Sequence, residues 1–309
     1  MPKLYIDDYV GIANRLETLT LAFAIRKEFG HEIFLDWPEL DSFRVEDTRR
    51  ASVRLIARMG AVRIRYCNEE IFSSLRGKKI ILRALDGPAD RLDPIYLDVA
   101  LKIRLAPSLA GQIRTAFAAI ADRPVVGIHL RRGDFASTPS DVYDVERIEW
   151  PAVPLWWYEK MMTAVAKREK DVLFFLAATG DPDTYSALRK NFDVLTLNIN
   201  SPYAYKGPGN QSRIHPVADL FALACCPVIL ATPISGYSHW AANVLGRPST
   251  CLVPLPGRDP GDPSVGVLSL FGKRLPEWRV AGRQGKYVSI RPGELDWIDL
   301  SAGADTGWL

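Results

Sequence analysis

The chain has 309 residues, too many for one small core and enough for two domains of ordinary size. Hydrophobic residues make up 48% and charged residues 24%, the balance of a soluble globular protein, which argues against a disordered or fibrous chain. With 39 Lys and Arg against 36 Asp and Glu, a net charge of +3, the chain is too even to predict a nucleic-acid coat or a polybasic membrane binder, and local clusters of Arg must carry any anion binding.

The start, MPKLYIDDYVG, reaches Asp7 and Asp8 before any apolar run develops, so it does not read as a signal peptide. Lys3–Asp7 predicts a short strand. Gly11–Gly30 predicts a helix, with Ile12, Leu16, Leu19 and Phe23 at helical spacing and Gly30 as its stop. Glu32–Asp36 predicts a strand, Asp47–Met59 a helix, Lys79–Arg83 a strand and Leu109–Ala121 a helix; Pro94–Ala106 is left open. Pro124–Leu130 (PVVGIHL) is continuously apolar, as expected of a strand covered on both faces. The alternation continues with helix Leu155–Lys170, strand Val172–Thr179, helix Asp183–Phe192, strand Val194–Asn198, helix Pro216–Cys226, strand Val228–Thr232 and helix Ser238–Leu245. Pro254–Pro263 is rich in Pro and Gly and reads as a loop, and Gly293–Leu309 has no assignable structure. No run of 18 apolar residues occurs, so no membrane-spanning helix is expected. The cysteines Cys67, Cys225, Cys226 and Cys251 form no CxxC pair and suit a reducing, cytoplasmic location.

Alternating strands and helices predict an α/β protein of two Rossmann-like domains facing a cleft, with parallel sheets covered by helices. The expected division is 1–122, 123–285 and a tail of 286–309. Ligands of such sheets sit beyond the carboxyl ends of the strands, so the residues just after each strand are the candidates for chemistry.

Directly after PVVGIHL comes His129-Leu-Arg131-Arg132-Gly133-Asp134. Adjacent guanidiniums offer fixed donors that match phosphate oxygens; the bland alternative is a surface pair bonded to nearby acids. Thr232-Pro-Ile-Ser235-Gly236-Tyr237-Ser238 follows VILAT and opens a helix. Ser238 fits an N-cap, and Ser235 with the free N–H groups of the helix start can hold an anion. Asn14 lies at the start of the first helix, Asp181 in the turn Ala178-Thr179-Gly180-Asp181-Pro182, and Asp219 on an apolar helix where an acid needs a partner. There is no GxxxxGKS, HExxH or GxSxG motif.

His129-Leu-Arg131-Arg132-Gly133-Asp134 resembles the HxRRxD motif of the GDP-fucose-dependent fucosyltransferase superfamily. GIANRLETLTLAFAI resembles that group's first glycine-containing segment, AATGDP its acidic turn, and the stretch from Asp219 to Trp240 its last block, in the same order. The chain departs from the pattern where Gly180 precedes Asp181 and where the serine-rich turn reads SGYS, which leaves subfamily and linkage open. The resemblance implies a GT-B fold: an inverting, metal-independent transfer of fucose from GDP-fucose to a glycan hydroxyl, with no cofactor, no bound metal and no nucleic-acid partner. It implies an acceptor-side domain over 1–122 and a nucleotide-sugar domain over 123–285. Arg131 and Arg132 then face the diphosphate, with Asp134 beside them as a catalytic residue, and Asn14, His129, Asp181, Asp219, Ser235 and Ser238 bind the nucleotide sugar, Asp219 reading guanine. Candidates for the base that takes the acceptor proton are Asp134, Asp141, Asp144, Glu146 and Glu149. The alternatives are another nucleotide sugar on the same fold, or a non-catalytic nucleotide- or glycan-binding protein.

Overall fold

The computed structural model describes residues 1–53, 55–132, 135–137, 141–145, 148, 150–179, 185–200, 215–233, 235–256, 264–268, 288–290, 295–296 and 298–309. The chain divides into two compact units, one of Met1–Ala110 and one of Gly111–Phe271 with Leu275–Leu309.

The first unit runs β1 (Lys3–Asp7), α1 (Ile12–Phe29), β2 (Glu32–Asp36), β3 (Phe43–Val45), β4 (Thr48–Arg50), α2 (Leu55–Arg58), β5 (Val62–Ile64), α3 (Glu69–Ser73), β6 (Ile80–Leu82), α4 (Ala89–Leu92), α5 (Tyr96–Ala100) and β7 (Ile103–Leu105). Its five-stranded sheet is parallel throughout, in the order β4-β2-β1-β6-β5, and β3 pairs antiparallel with β7. Helix α1 stops at Gly30, which takes the left-handed conformation (φ 72°) and returns its N–H to the Arg26 carbonyl. The helix expected over Asp47–Met59 is replaced by β4 and the short α2. Asp47 turns the chain at φ 63°, and Thr48–Arg50 pairs with Ile33–Leu35, so sheet pairing overrides helix propensity there. The open stretch Pro94–Ala106 contains α5 and β7.

Helix α6 (Pro107–Ala118) carries the boundary between the units. The second unit continues with β8 (Val125–Leu130), α7 (Leu155–Arg168), β9 (Leu173–Ala178), α8 (Ser186–Asn191), β10 (Val194–Leu195), α9 (Pro216–Leu223), β11 (Val228–Leu230), α10 (Gly236–His239), β12 (Thr250–Pro254), β13 (Val265–Leu268) and β14 (Val288–Ile290). The sheet order is β10-β9-β8-β11-β12-β13-β14, parallel up to β12 and antiparallel beyond it. Every residue of β8 and β9 is buried, as two covered faces require. On one face Val126, Ile128, Leu130, Phe174 and Leu176 meet Trp157, Tyr158, Met161, Met162 and Val165 of α7. On the other, α9 lies so close to β8 that a Cβ on Gly127 would stand 2.7 Å from Leu223 Cδ1 and 3.0 Å from Cys226 Cβ.

Two sequence expectations are corrected here. The helix expected over Ser238–Leu245 begins earlier, at Gly236, and passes into a π-helical turn over Trp240–Val244. The tail, unassigned from sequence, is built into the second unit: β14 extends the sheet, Val125 N–H donates to Ala302 O at 3.0 Å, and Trp308 stacks on Phe221. Among the described residues no helix is long and apolar enough to cross a membrane.

Candidate functional site at a reversal of strand order

In the second unit the chain leaves β8 for β9 and β10, then returns to place β11 on the opposite side of β8. Connections on either side of such a reversal leave toward opposite faces, and a crevice opens beyond the carboxyl ends of the two strands. Arg131 and Arg132 follow β8. Thr232 and Ser235 follow β11.

His129 is the hinge of this junction. Its Nδ1 is hydrogen-bonded to Ser238 Oγ at 2.7 Å, and its ring stacks on Tyr237 with centroids 4.7 Å apart. Its backbone carbonyl accepts from Tyr158 Oη at 2.8 Å and from Thr232 Oγ1 at 2.9 Å. Burial, with Arg131 adding to it, pushes the imidazole down to about 3. It is therefore neutral, and serves as a polar strut rather than a charged ligand.

Threonines at the strand ends fix the backbone around the two arginines. Arg131 N–H donates to Thr232 Oγ1 at 3.2 Å, and Arg132 N–H to Thr179 Oγ1 at 2.9 Å. Thr179 in turn donates its N–H to Leu130 O. The Arg131 guanidinium lies 5.6 Å from the centroid of the Phe135 ring. Arg132 Nη1 donates to Ser137 Oγ, while its Nε is buried without a partner among the described residues. A buried guanidinium N–H left unmated is costly and is available to an anion.

Ser235, not Ser238, caps α10: its Oγ accepts from Tyr237 N–H. The capping role expected for Ser238 is thereby corrected, because its hydroxyl is spent on His129. Tyr237 Oη donates to Pro216 O at 2.8 Å and so ties the start of α10 to the first turn of α9. Asp219 lies in that first turn, 4% exposed. It does not cap the helix, since His215 Nδ1 does so, accepting from Ala218 N–H at 3.2 Å. Burial alone pushes the Asp219 carboxyl well above the ordinary carboxylate range, and no cation stands against it among the described residues.

The remaining candidates fall elsewhere. Asn14 belongs to the first unit, half-buried in the first turn of α1 behind the Gly11 N-cap. Asp134, Asp181, Glu146 and Glu149 lie outside the described residues. Asp141 is exposed, with φ 50°, and its carbonyl accepts from Trp156 Nε1; Asp144 is partly buried. Among the described residues no group of three or more His, Cys, Asp or Glu gathers in the manner of a metal site.

The first unit has a reversal of its own between β1 and β6. Asp7 receives Arg83 through Nε at 2.9 Å and Nη2 at 2.5 Å. Arg15, only 1% exposed, lies between Glu39, Asp8 and the Trp37 ring. Sequence reasoning gives none of these residues a role in the site, nor Thr179, Thr232, Tyr158 or Tyr237. Only the threonines carried a readable signal, each standing directly after an apolar strand.

No protein-family model matches the chain, and no curated protein sequence matches it. Solved structures do. Fucosyltransferase NodZ from Bradyrhizobium, in its selenomethionine form, is 12% identical at a TM-score of 0.51, covering 87% of this chain and 99% of that one. NodZ alpha-1,6-fucosyltransferase soaked with GDP-fucose is 13% identical at 0.53, with the same coverage. A mutant of Arabidopsis thaliana FUT1 in complex with GDP is 10% identical at 0.55, covering 87% of this chain and 74% of that one. What the chain shares with them at these identities is the fold.

Proposed function

We propose that the protein is an inverting glycosyltransferase that moves fucose from GDP-fucose to a glycan hydroxyl without a metal ion. The observation that carries this reading is the junction at β8 and β11, where paired arginines and a serine-capped helix start meet at a reversal of strand order. The likeness in fold to solved enzymes whose names include fucosyltransferase, GDP and GDP-fucose supports it. In this reading residues 123–285 hold the nucleotide sugar and residues 1–122, with Asn14, meet the sugar and acceptor.

As the bond between the sugar C1 and the β-phosphate oxygen breaks, the electron pair stays with GDP and negative charge grows on the diphosphate. Arg131, Arg132 and the N–H groups at the start of α10 stabilise it, the task a metal performs in other sites. The acceptor oxygen attacks C1 from the opposite face, and its proton passes to a carboxylate. Asp134 and the acids that follow it in the sequence, Asp141, Asp144, Glu146 and Glu149, supply the candidates. His129 and Ser238 hold the junction together; Asp181, which follows β9 in the sequence, contributes to the donor side.

Asp219 gives the reading its sharpest test. Guanine presents N1–H and a 2-amino group side by side, and one ionised carboxylate accepts from both. Uracil offers one ring N–H. Sites built to pair a polar group reject ligands that lack its partner. Calorimetry should find GDP bound more tightly than UDP, with the gap closing in Asp219→Asn. Equal selectivity in both proteins would remove Asp219 from the site, and tighter UDP binding by the wild type would replace the donor. The transfer rate should be unchanged by a chelator; loss restored by Mn²⁺ or Mg²⁺ would overturn metal independence.

A further inference from the structure

We propose that the face of the first unit's sheet covered by α2 docks on an anionic lipid surface. From Thr48 to Asn68 the chain carries Arg49, Arg50, Arg54, Arg58, Arg63 and Arg65 and no Asp or Glu. Whole-chain charge conceals this run, because acids elsewhere balance it.

The register gathers much of that charge on one face. One row across all five strands reads Arg49, Phe34, Tyr5, Ile81, Arg63. Tyr5 and Phe34 stack at 5.1 Å between centroids, and Lys79 and Lys3 lie over them at 5.9 and 5.6 Å. The apolar cover is thin: Val53, Ala57 and Ala61 meet Tyr5, Phe34 and Ile81. The acids on this side are engaged. Glu32 faces Arg49, Asp7 holds Arg83 and stands 4.0 Å from Arg58, and Asp36 accepts the Val53 N–H. Arg63 and Arg65 are exposed and have no ion pair among the described residues.

Exposed apolar side chains select the occupant. Met59 and Tyr66 are each 66% exposed, both in the segment that bears Arg63 and Arg65. Charge on an edge strand such as β5 guards against strand pairing, but that purpose gives no reason for an exposed Met and Tyr beside it. A bilayer surface accommodates both, with guanidiniums on lipid phosphates and Met and Tyr at the level of the headgroups. A polyanionic saccharide would use the charge and leave Met59 in water. No spanning helix is needed, so attachment would be reversible. This proposal does not depend on the transfer reading.

Co-sedimentation of the full chain with vesicles tests it. Mixed phosphatidylglycerol and phosphatidylcholine vesicles should bind the protein and pure phosphatidylcholine should not, and binding should weaken with salt as screening shortens. The double variant Arg63→Glu/Arg65→Glu should bind roughly tenfold more weakly or worse, with wild-type Tm and GDP affinity. Met59→Ser/Tyr66→Ser should also weaken binding and leave the remainder easier to reverse with salt. Absence of binding to the mixed vesicles at low salt overturns the proposal. So does equal binding by the charge-reversed variant, and so does capture by heparin with the vesicles ignored, which would assign the face to a saccharide polyanion.

Discussion

Asp219 and the two arginines at the end of β8 have opposite electrostatic problems. The arginines hold positive charge where the described residues give the Arg132 Nε no acceptor. A charge-assisted hydrogen bond contributes about 1.5–3 kcal/mol, so Arg131→Ala and Arg132→Ala should each slow transfer roughly ten- to a hundredfold with little change in Tm. Wild-type rates in both would remove the arginines from the phosphate site. Asp219 instead keeps its proton above the ordinary carboxylate range because burial disfavours the anion. The folded state then holds a proton that the unfolded state has released, so this group's contribution falls as pH rises through its folded pKa. Asp219→Asn should therefore be more stable than the wild type at neutral pH, with the difference shrinking on acidification. Guanine needs the anion, so GDP binding should release a proton from the wild type and none from the variant. Calorimetry in buffers of differing ionisation enthalpy reads that proton.

Helix α9 is the element on which the guanine reading depends, and its position is set by a missing side chain. Gly127 permits Leu223 and Cys226 to lie directly on β8. Leu223 can move a flexible end, but Cys226 Cβ is anchored to the backbone, so Gly127→Ala must push the chain around α9 outward. Overpacking of this kind costs about 1–3 kcal/mol. Gly127→Ala should lower Tm and weaken GDP binding together. Gly111, inside α6 with open space at its Cβ, is the comparison: Gly111→Ala should raise stability by about 0.5–1 kcal/mol and leave GDP affinity alone. Chemical denaturation and nucleotide titration of both variants separate the two cases, and an unshifted GDP affinity in Gly127→Ala would disconnect α9 from the nucleotide.

At the scale of the whole molecule, buried histidines set the acid limit, and burial lowers the His31 pKa as well. His129 and His239 are each pushed down to about 3 by burial, from an ordinary value of 6.5. Between those values the unfolded chain binds protons that the folded chain refuses, so stability rises with pH across the window and is lost as pH falls through it. Asp219 works in the opposite sense over its own range. Urea midpoints measured from pH 7 downward should fall below about pH 6.5, and His239→Asn should flatten the fall. A midpoint independent of pH across that window would mean that the histidines are not held neutral in the fold.

Local pattern determined much of this architecture from sequence. Lys3–Asp7 and Glu32–Asp36 form strands within the expected limits, Gly30 ends its helix, and the continuously apolar PVVGIHL and VLFFLAAT form strands buried on both faces. Period and punctuation are local properties, and the order of strands and helices follows from them. Strand-end placement likewise located the arginines. What sequence could not decide depends on partners distant along the chain. Thr48–Arg50 leaves the expected helix because Ile33–Leu35 offers β4 a ladder. Ser238 gives up a helix cap because His129, more than a hundred residues earlier, takes its hydroxyl at 2.7 Å. Asp219 does not cap its helix because His215 Nδ1 already accepts the Ala218 N–H. Each outcome is a competition for one hydrogen bond or one charge, and the winner is fixed only when the sheets bring the competitors together.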